Sequence, residues 1–261
     1  MQHIDFFQIL KRSILIVFLV IAGVVLFTFL CLAYARFVEP TWLRVKHITL
    51  SNHSTARIIH ISDIHFAGDT QYLERVAQTI NREKADFVCF TGDLVEDVAF
   101  LQGALQFIAK INKPVYGVPG NHDQWAIRSF DKVRSTFRAT GGDWLGNTPV
   151  SVRSNSIALL TLISRQQQTP PEYKRILLEH YPNAVEQLQG DRFDVILAGH
   201  THGGQVRIPF VHRFVLPFDL DTFDKGLFHT PCGPLYVNPG IGTFYLKLRF
   251  LCRPELTLIE I

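Results

Sequence analysis

The stretch Val195-Ile196-Leu197-Ala198-Gly199-His200-Thr201-His202-Gly203-Gly204 decides the fold. Its first four residues form a short apolar run of the kind that makes a buried strand. Its glycines mark a turn where backbone comes close to something else. An extended chain alternates its side chains, so His200 and His202 leave the strand end toward one spot. Imidazole is the commonest metal ligand near neutral pH. One His-x-His pair is weak by itself. The reading gains force if other strands deliver oxygen and nitrogen donors to the same place.

Outward from this stretch, the chain alternates strand and helix patterns. Arg57 to Ser62 reads as a strand, and Thr70 to Arg82 as an amphipathic helix with Leu73, Val76, Ala77 and Ile80 on one face. Asp86 to Thr91 is the next strand, Val98 to Ala109 the next helix, and Pro114 to Val118 a third strand. A β-α-β-α-β order implies a parallel sheet with covered faces. A helix is expected over Ala126 to Phe137 and strands within Val150 to Ile163. A strand over Arg175 to Glu179, a short helix over Pro182 to Leu188 and the strand Asp194 to Ala198 follow. Short strands and Gly/Pro turns run to a last strand at Glu255 to Ile261. The fold class is α/β: one mixed domain of two packed sheets.

Polar residues stand just past the carboxyl ends of these strands, where open α/β sheets bind ligands. They are Asp63-Ile64-His65, Gly92-Asp93, Gly120-Asn121-His122-Asp123, His180 and His200-Thr201-His202. Together they offer two aspartates, one asparagine and four histidines as ligands, with His122 to spare. Carboxylate, amide oxygen and imidazole suit borderline divalent ions such as Mn2+, Fe2+, Zn2+ or Co2+. Thiolate is missing from the set, which argues against a structural zinc site. The donors are too many for one ion and suit two. Two ions about 3.5–4 Å apart clamp the attacking and leaving oxygens of an in-line displacement and acidify bound water. Each residue alone reads equally well as a turn or cap; the ordered set reads as ligands. His60 lies inside a strand and reads as a core residue, and Glu96 and Asp97 as groups favouring the next helix N-terminus. His47, His53, His212 and His229 have no partner motif and read as surface residues.

The order Asp-x-His, Gly-Asp, Gly-Asn-His-Asp, His, Gly-His-x-His resembles the calcineurin-like metallophosphoesterase superfamily, from about Arg57 to the C-terminus. The resemblance implies that family's sandwich of two mixed β-sheets flanked by helices. It implies one metal held by Asp63, His65 and His202 and a second held by Asn121, His180 and His200, with Asp93 bridging. Mn2+ is the expected ion, ahead of Fe2+, Zn2+ or Co2+. By the same resemblance His122 contacts the scissile phosphate and assists the leaving group, and Asp123 orients and charge-supports His122. Gly199-His200-Thr201-His202-Gly203-Gly204-Gln205 and the tail Gly240-Ile241-Gly242-Thr243 are similar to the membrane-anchored branch, like bacterial enzymes that cleave UDP-2,3-diacylglucosamine in lipid A synthesis. The chain departs from relatives at Ser164-Arg165-Gln166-Gln167-Gln168, where an Asp-rich loop is usual, and at Pro239, where an Arg is usual. Both departures bear on specificity rather than on metal binding. The expected reaction is hydrolysis of a phosphoester or phosphoanhydride. The preferred substrate is a nucleotide-linked lipid, with a general phosphodiesterase as the alternative. A non-catalytic scaffold of the same fold is the other class of function; such chains lose ligands or the histidine of Gly-Asn-His, and this one keeps them.

The N-terminal region fits that branch. Ile14 to Ala35 is 22 residues without a charge, and fifteen of them are Leu, Ile, Val or Phe. A helix of that length spans roughly 33 Å, enough for a bilayer core. The run is too long for a signal peptide, and no small-residue cleavage site follows it. The expected organisation is a tail over 1–13, a membrane helix over 14–35, a linker and first strand region over 36–56, and the metallophosphoesterase domain over 57–261. Arg36, Arg44 and Lys46 against Lys11 and Arg12 favour a cytoplasmic domain on a single-pass inner-membrane protein. Four cysteines without a CxxC do not make a disulfide framework; only Cys232 and Cys252 could pair. A net charge of +3 without a basic tract gives no case for nucleic acid. Phe210, Phe214 and Phe218, with Arg207 and Arg213, read either as core packing or as an apolar, basic lip toward a membrane.

Overall fold

Strands that are apolar at every position must be covered on both faces, and this determines the layers. The computed structural model describes residues 6–51, 53–152, 156–188, 190–209 and 222–261. In chain order the elements are α1 (Phe6–Ala33), β1 (Arg44–Thr49), β2 (Arg57–Ile61), α2 (Thr70–Arg82), β3 (Phe87–Phe90), α3 (Leu101–Ala109) and β4 (Val115–Gly117). There follow α4 (Asn121–Ala126), α5 (Asp131–Ala139), β5 (Asp143–Trp144), β6 (Val150–Val152), β7 (Ile157–Leu160) and β8 (Lys174–Leu178). The last are β9 (Val195–Ala198), β10 (Gly226–Thr230), β11 (Gly233–Val237) and β12 (Glu255–Glu260).

Two six-stranded sheets form. One has the order β1-β12-β2-β3-β4-β5, the other β10-β11-β9-β8-β7-β6. The strands β2 to β5 are mutually parallel, as are β11, β9, β8 and β7, while β12 against β2, β10 against β11 and β6 against β7 are antiparallel. Alternation along each strand divides the core into three. Ile58, Cys89 and Tyr116 face Leu159, Leu178, Leu197 and Tyr236 between the sheets. Ile59, Ile61, Val88 and Phe90 pack under α2, α3 and α5. Ala158, Leu177, Ile196 and Leu235 pack under Val185 and Leu188, beside the 3-10 turn Pro182–Gln187. This is the expected sandwich of two mixed sheets flanked by helices.

Local differences have physical causes. The helix expected over Ala126 to Phe137 is α5, which begins later, at Asp131, after the separate α4 has ended at Ala126. Ile127 is extended, and Ser129 meets both the amide and the carboxylate of Asp131, which starts α5 afresh. Asn121, His122 and Asp123 form the first turn of α4, with Gly120 at its N-cap. Cys232 and Cys252 are free thiols, as are Cys31 and Cys89.

Helix α1 begins at Phe6, earlier than Ile14, and its side chains from Phe7 to Leu30 are exposed. By length and composition Phe7–Thr41 could cross a membrane, and none of its most apolar window is buried in protein. The helix widens into a π turn over Tyr34–Val38 and ends in a 3-10 turn over Glu39–Thr41. The aromatic segment around Phe210, Phe214 and Phe218, with Arg213 and His212, lies outside the described residues.

Candidate metal centre

Five strand ends from both sheets meet at one edge: β2, β3 and β4 of the first, β8 and β9 of the second. The loops after β2 and β3 continue the ladder beyond the strands, with Asp63 N donating to Gly92 O at 2.9 Å and Ile64 N to Asp93 O at 2.8 Å. Asp63, His65, Asp93, His200 and His202 all have positive φ, between 41° and 71°. L-residues occupy that region seldom, and such strain clusters where a site is held against it. It turns each side chain inward at the strand end. The packing leaves no room for a methyl at two of the glycines. A Cβ on Gly120 would overlap the Asp93 carboxylate, and one on Gly199 would overlap Ser62 Oγ and Asp63 Oδ2.

The predicted donors converge. His202 Nε2 lies 3.0 Å from His65 Nε2 and 3.5 Å from Asp63 Oδ1. His180 Nε2 lies 3.0 Å from Asn121 Oδ1, 3.2 Å from His200 Nδ1 and 3.3 Å from Asp93 Oδ2. Asp93 Oδ2 is also 3.4 Å from His65 Nε2, so this carboxylate touches both clusters. Asp63-His65-His202 and Asp63-Asp93-His180 each bring three ligand atoms close enough to share one ion, and Asp63 belongs to both groups.

The donor set fits cations. His180 Nδ1 faces Thr91 O at 2.7 Å, so its proton sits there. Its Nε2 then faces two oxygens and a second imidazole nitrogen, an arrangement of lone pairs that needs a positive centre. The charges say the same. Burial works against ionising His180, yet the Asp93 carboxylate outweighs it and raises its pKa to about 9. Burial likewise opposes ionisation of Asp93, but His180 and His65 hold its carboxyl below the usual range. Burial raises Asp63, next to Asp93, and lowers His200 and His202. Two divalent ions between these groups would satisfy every one of them.

The remaining predicted residues lie where expected in space, with one difference in contact. His122 is half-buried; its amide donates to Asp93 Oδ1 at 2.9 Å, and its ring sits 5.0 Å from that of His65. Burial lowers its pKa against the pull of Asp93. Asp123 does not reach the His122 ring. Its fully buried carboxylate accepts the amides of Asp93 and Leu94 at 2.8 Å, Gly120 at 3.0 Å and Val95 at 3.4 Å. One residue along a helix turns the side chain by about 100°, so Asp123 points under the β3 loop while His122 points out. The expected support of His122 is thus replaced by a brace on the backbone that carries Asp93.

Sequence reasoning missed two neighbours. Glu96 is not a helix cap; its Oε1 lies 3.2 Å from His65 Nδ1 and raises the His65 pKa against burial. Phe244 lies over the site, with ring centroids 4.8 Å from His122, 5.5 Å from His65 and 6.1 Å from His202. The side-chain amide of Gln205 holds Phe244 in both directions, accepting from its N at 2.8 Å and donating to its O at 3.0 Å. Gln205 closes the opening motif, the one sequence signal that pointed at this contact. His60 is fully buried beside Thr91 Oγ1 at 2.9 Å, a core residue as read.

Comparison with known proteins agrees with this geometry. YkuE, a metallophosphoesterase of Bacillus subtilis (strain 168), is 27% identical over 87% of this chain and 88% of its own. The phosphodiesterase YaeI of Escherichia coli (strain K12) is 26% identical over 87% and 92%. The UDP-2,3-diacylglucosamine pyrophosphatase LpxG of Chlamydia trachomatis serovar D is 24% identical over 87% and 92%. Residues 56–204, more than half of the chain, match the family described as calcineurin-like phosphoesterase. With that extent of match on a chain whose strand-end donors close into one cage, this protein belongs to the calcineurin-like phosphoesterase family and is a phosphoester hydrolase.

Proposed function

We propose that the protein is a membrane-anchored, two-metal hydrolase of a lipid-linked phosphodiester or phosphoanhydride, with UDP-2,3-diacylglucosamine the preferred substrate. The observation that carries this is the position of Asp93, within 3.4 Å of ligand nitrogens in both clusters. Asp63, His65 and His202 would hold one ion, Asn121, His180 and His200 the second, with Asp93 shared; Mn2+ is the preferred metal. When bound, the ions supply charge neutralisation at the phosphate and a water acidified for attack. The chain's own groups do the rest. His122 offers an N–H to the leaving oxygen, at the open side of the cage where it is half-buried. Phe244 excludes water from the side of His65 and His202. Asp123 keeps the β3 loop, and with it Asp93, from moving as charge develops.

The lipid part of the reading rests on the exposed apolar helix and on similarity to LpxG, and the placement on a single-pass inner-membrane protein with a cytoplasmic domain is part of the same proposal. A second reading, a general phosphodiesterase, is favoured by the similarity to YaeI. Purified full-length protein with Mn2+ is assayed on UDP-2,3-diacylglucosamine and on bis(4-nitrophenyl) phosphate, with Asp93→Ala as control. The preferred reading expects metal-dependent release of UMP from the lipid, faster than turnover of the soluble diester. Faster turnover of the soluble diester selects the second reading. Asp93→Ala should lose stoichiometric metal and nearly all turnover; a variant as active as the wild type would sink the two-metal mechanism.

A further inference from the structure

Beside the metal cage lies a cavity of about 470 Å3 whose wall is not only the catalytic domain. One side is the end of the apolar helix, with Arg36, Phe37 and Pro40. The other is Phe100 and Tyr245, and the floor reaches His65 and Glu96. The volume falls within the range of ligand sites. A gap beside a loosely attached helix would mean little, but this helix end is bolted down. Glu39 is fully buried, and its carboxylate accepts the amides of Leu251 at 2.8 Å and Cys252 at 2.5 Å. Arg249 N donates to Ala35 O at 2.9 Å. The guanidinium of Arg249, also fully buried, donates to the carbonyls of Pro239, Gly240, Gly242 and Cys252. Gly242 N in turn donates to Asp63 O at 2.7 Å. A continuous chain of hydrogen bonds therefore runs from the helix end to a predicted metal ligand, and the cavity is a built feature.

Its chemistry selects an occupant. The wall also holds three carboxylates that keep their charge, each turned to a protein donor: Asp69 accepts Tyr72 N, Asp97 accepts Ala99 N, and Glu96 meets His65, so the lining is mixed in charge. Arg36 and Lys247 also line it, and neither has a carboxylate partner among the described residues. Two available cations beside exposed aromatic surface suit an anion carried on an apolar body. Phe37 is 74% exposed, Trp42 50% and Tyr245 81%, so the rim around the helix end is aromatic, as at membrane interfaces.

We propose that this cleft seats the headgroup-proximal part of a membrane lipid phosphoester. Its apolar chains run back to the bilayer beside the helix and its phosphate passes to the metal cage. The inference rests on the hydrolase reading only for where the phosphate goes; the lipid seat itself is independent of turnover. Arg36 and Lys247 face the anionic headgroup, while Phe37, Phe100 and Tyr245 flank the glycerol or sugar and the first carbons of the chains. The substrate need not leave the membrane, because the cleft opens at the base of the anchor.

The test uses the full chain in phosphatidylcholine vesicles doped with a phosphatidylglycerol carrying a diazirine near the glycerol. Illumination and peptide mass spectrometry should give adducts in 64–73, 96–100 and 243–247, falling at least fivefold in Phe37→Asp and in Lys247→Glu. The circular dichroism spectrum and melting temperature of Lys247→Glu should match the wild type, which reports an intact fold. Adducts confined to 7–33, or cleft adducts that neither substitution reduces, overturn the proposal. Wild-type protein that gives cleft adducts but hydrolyses no diester sinks the hydrolase reading and leaves the lipid seat standing.

Discussion

At the scale of single residues, the proposed mechanism divides the labour between groups that would touch the reacting phosphate and groups that place them. His122 has its amide on Asp93 Oδ1 and its half-buried ring among those of His65, Trp125 and Phe244, where the proposed mechanism has it face the leaving oxygen. His122→Ala should lower kcat by about 10²–10⁴-fold, the range for a positioned proton donor, while bound metal measured by elemental analysis stays unchanged. His60 shows what burial alone does. Nothing ionic compensates it, and desolvation lowers its pKa to about 3. Between pH 3 and the ordinary value near 6.5, the unfolded chain binds a proton that the folded one does not. Stability conferred by a neutral His60 is therefore complete above about pH 6.5 and falls as the pH drops, by up to about 1.4 kcal/mol per unit. His60→Gln keeps a partner for Thr91 and removes the titration. Urea midpoints measured from pH 7 to pH 4 should decline less steeply in the variant.

At the scale of elements, the site depends on how α4 starts. The first turn of this helix carries the proposed ligand, the proposed proton donor and the brace in consecutive residues, Asn121, His122 and Asp123. Asp123 ties α4 to the loop after β3 through three backbone amides, those of Asp93, Leu94 and Val95, and accepts a fourth from Gly120 at the start of its own helix. Asp123→Ala leaves these donors buried without an acceptor, at about 1–3 kcal/mol each. The expected result is a loss of about 3 kcal/mol or more in chemical denaturation, with metal occupancy falling in parallel. A drop in kcat with unchanged stability and occupancy would instead return Asp123 to a role on His122. The break between α4 and α5 was not legible as such. Ala126 to Phe137 keeps an apolar period, but the backbone leaves the helix at Ile127 and re-enters one at Asp131, beside which Ser129 is bonded.

For the whole molecule, the decisive relation is between the apolar helix and the domain. The described residues place the end of α1 against the loop 249–252 rather than on a free tether, with the Tyr34 and Phe250 rings 6.3 Å apart. With α1 in a membrane, as proposed, such an attachment would hold the catalytic edge at a set distance from the bilayer. Membranes of expressing cells washed with alkaline carbonate should retain the full-length protein in the pellet, as a spanning helix of about 20 or more apolar residues requires. Release into the supernatant would mean that α1 does not span. β1 adds to the sheet edge by pairing in parallel with β12, so the segment after the helix is part of the fold, not only a connector.

The sequence by itself determined which polar residues stand just past the strand ends and are available for the proposed chemistry. Alternating side chains, covered apolar runs and Gly-flanked Asp, Asn and His at strand ends are local properties, and local order survives into the fold. Distances between strands separated by 140 positions are not local. Only the tertiary structure could bring His65 to His202, turn Asp123 away from His122, assign Glu96 to His65 and lay Phe244 over the site. Those contacts depend on sheet order, loop backbone in the left-handed region and the packing of two sheets. The cleft at the helix base was hidden for the same reason: its walls come from residues 36–40, 64–73, 96–100 and 242–247, adjacent only after folding.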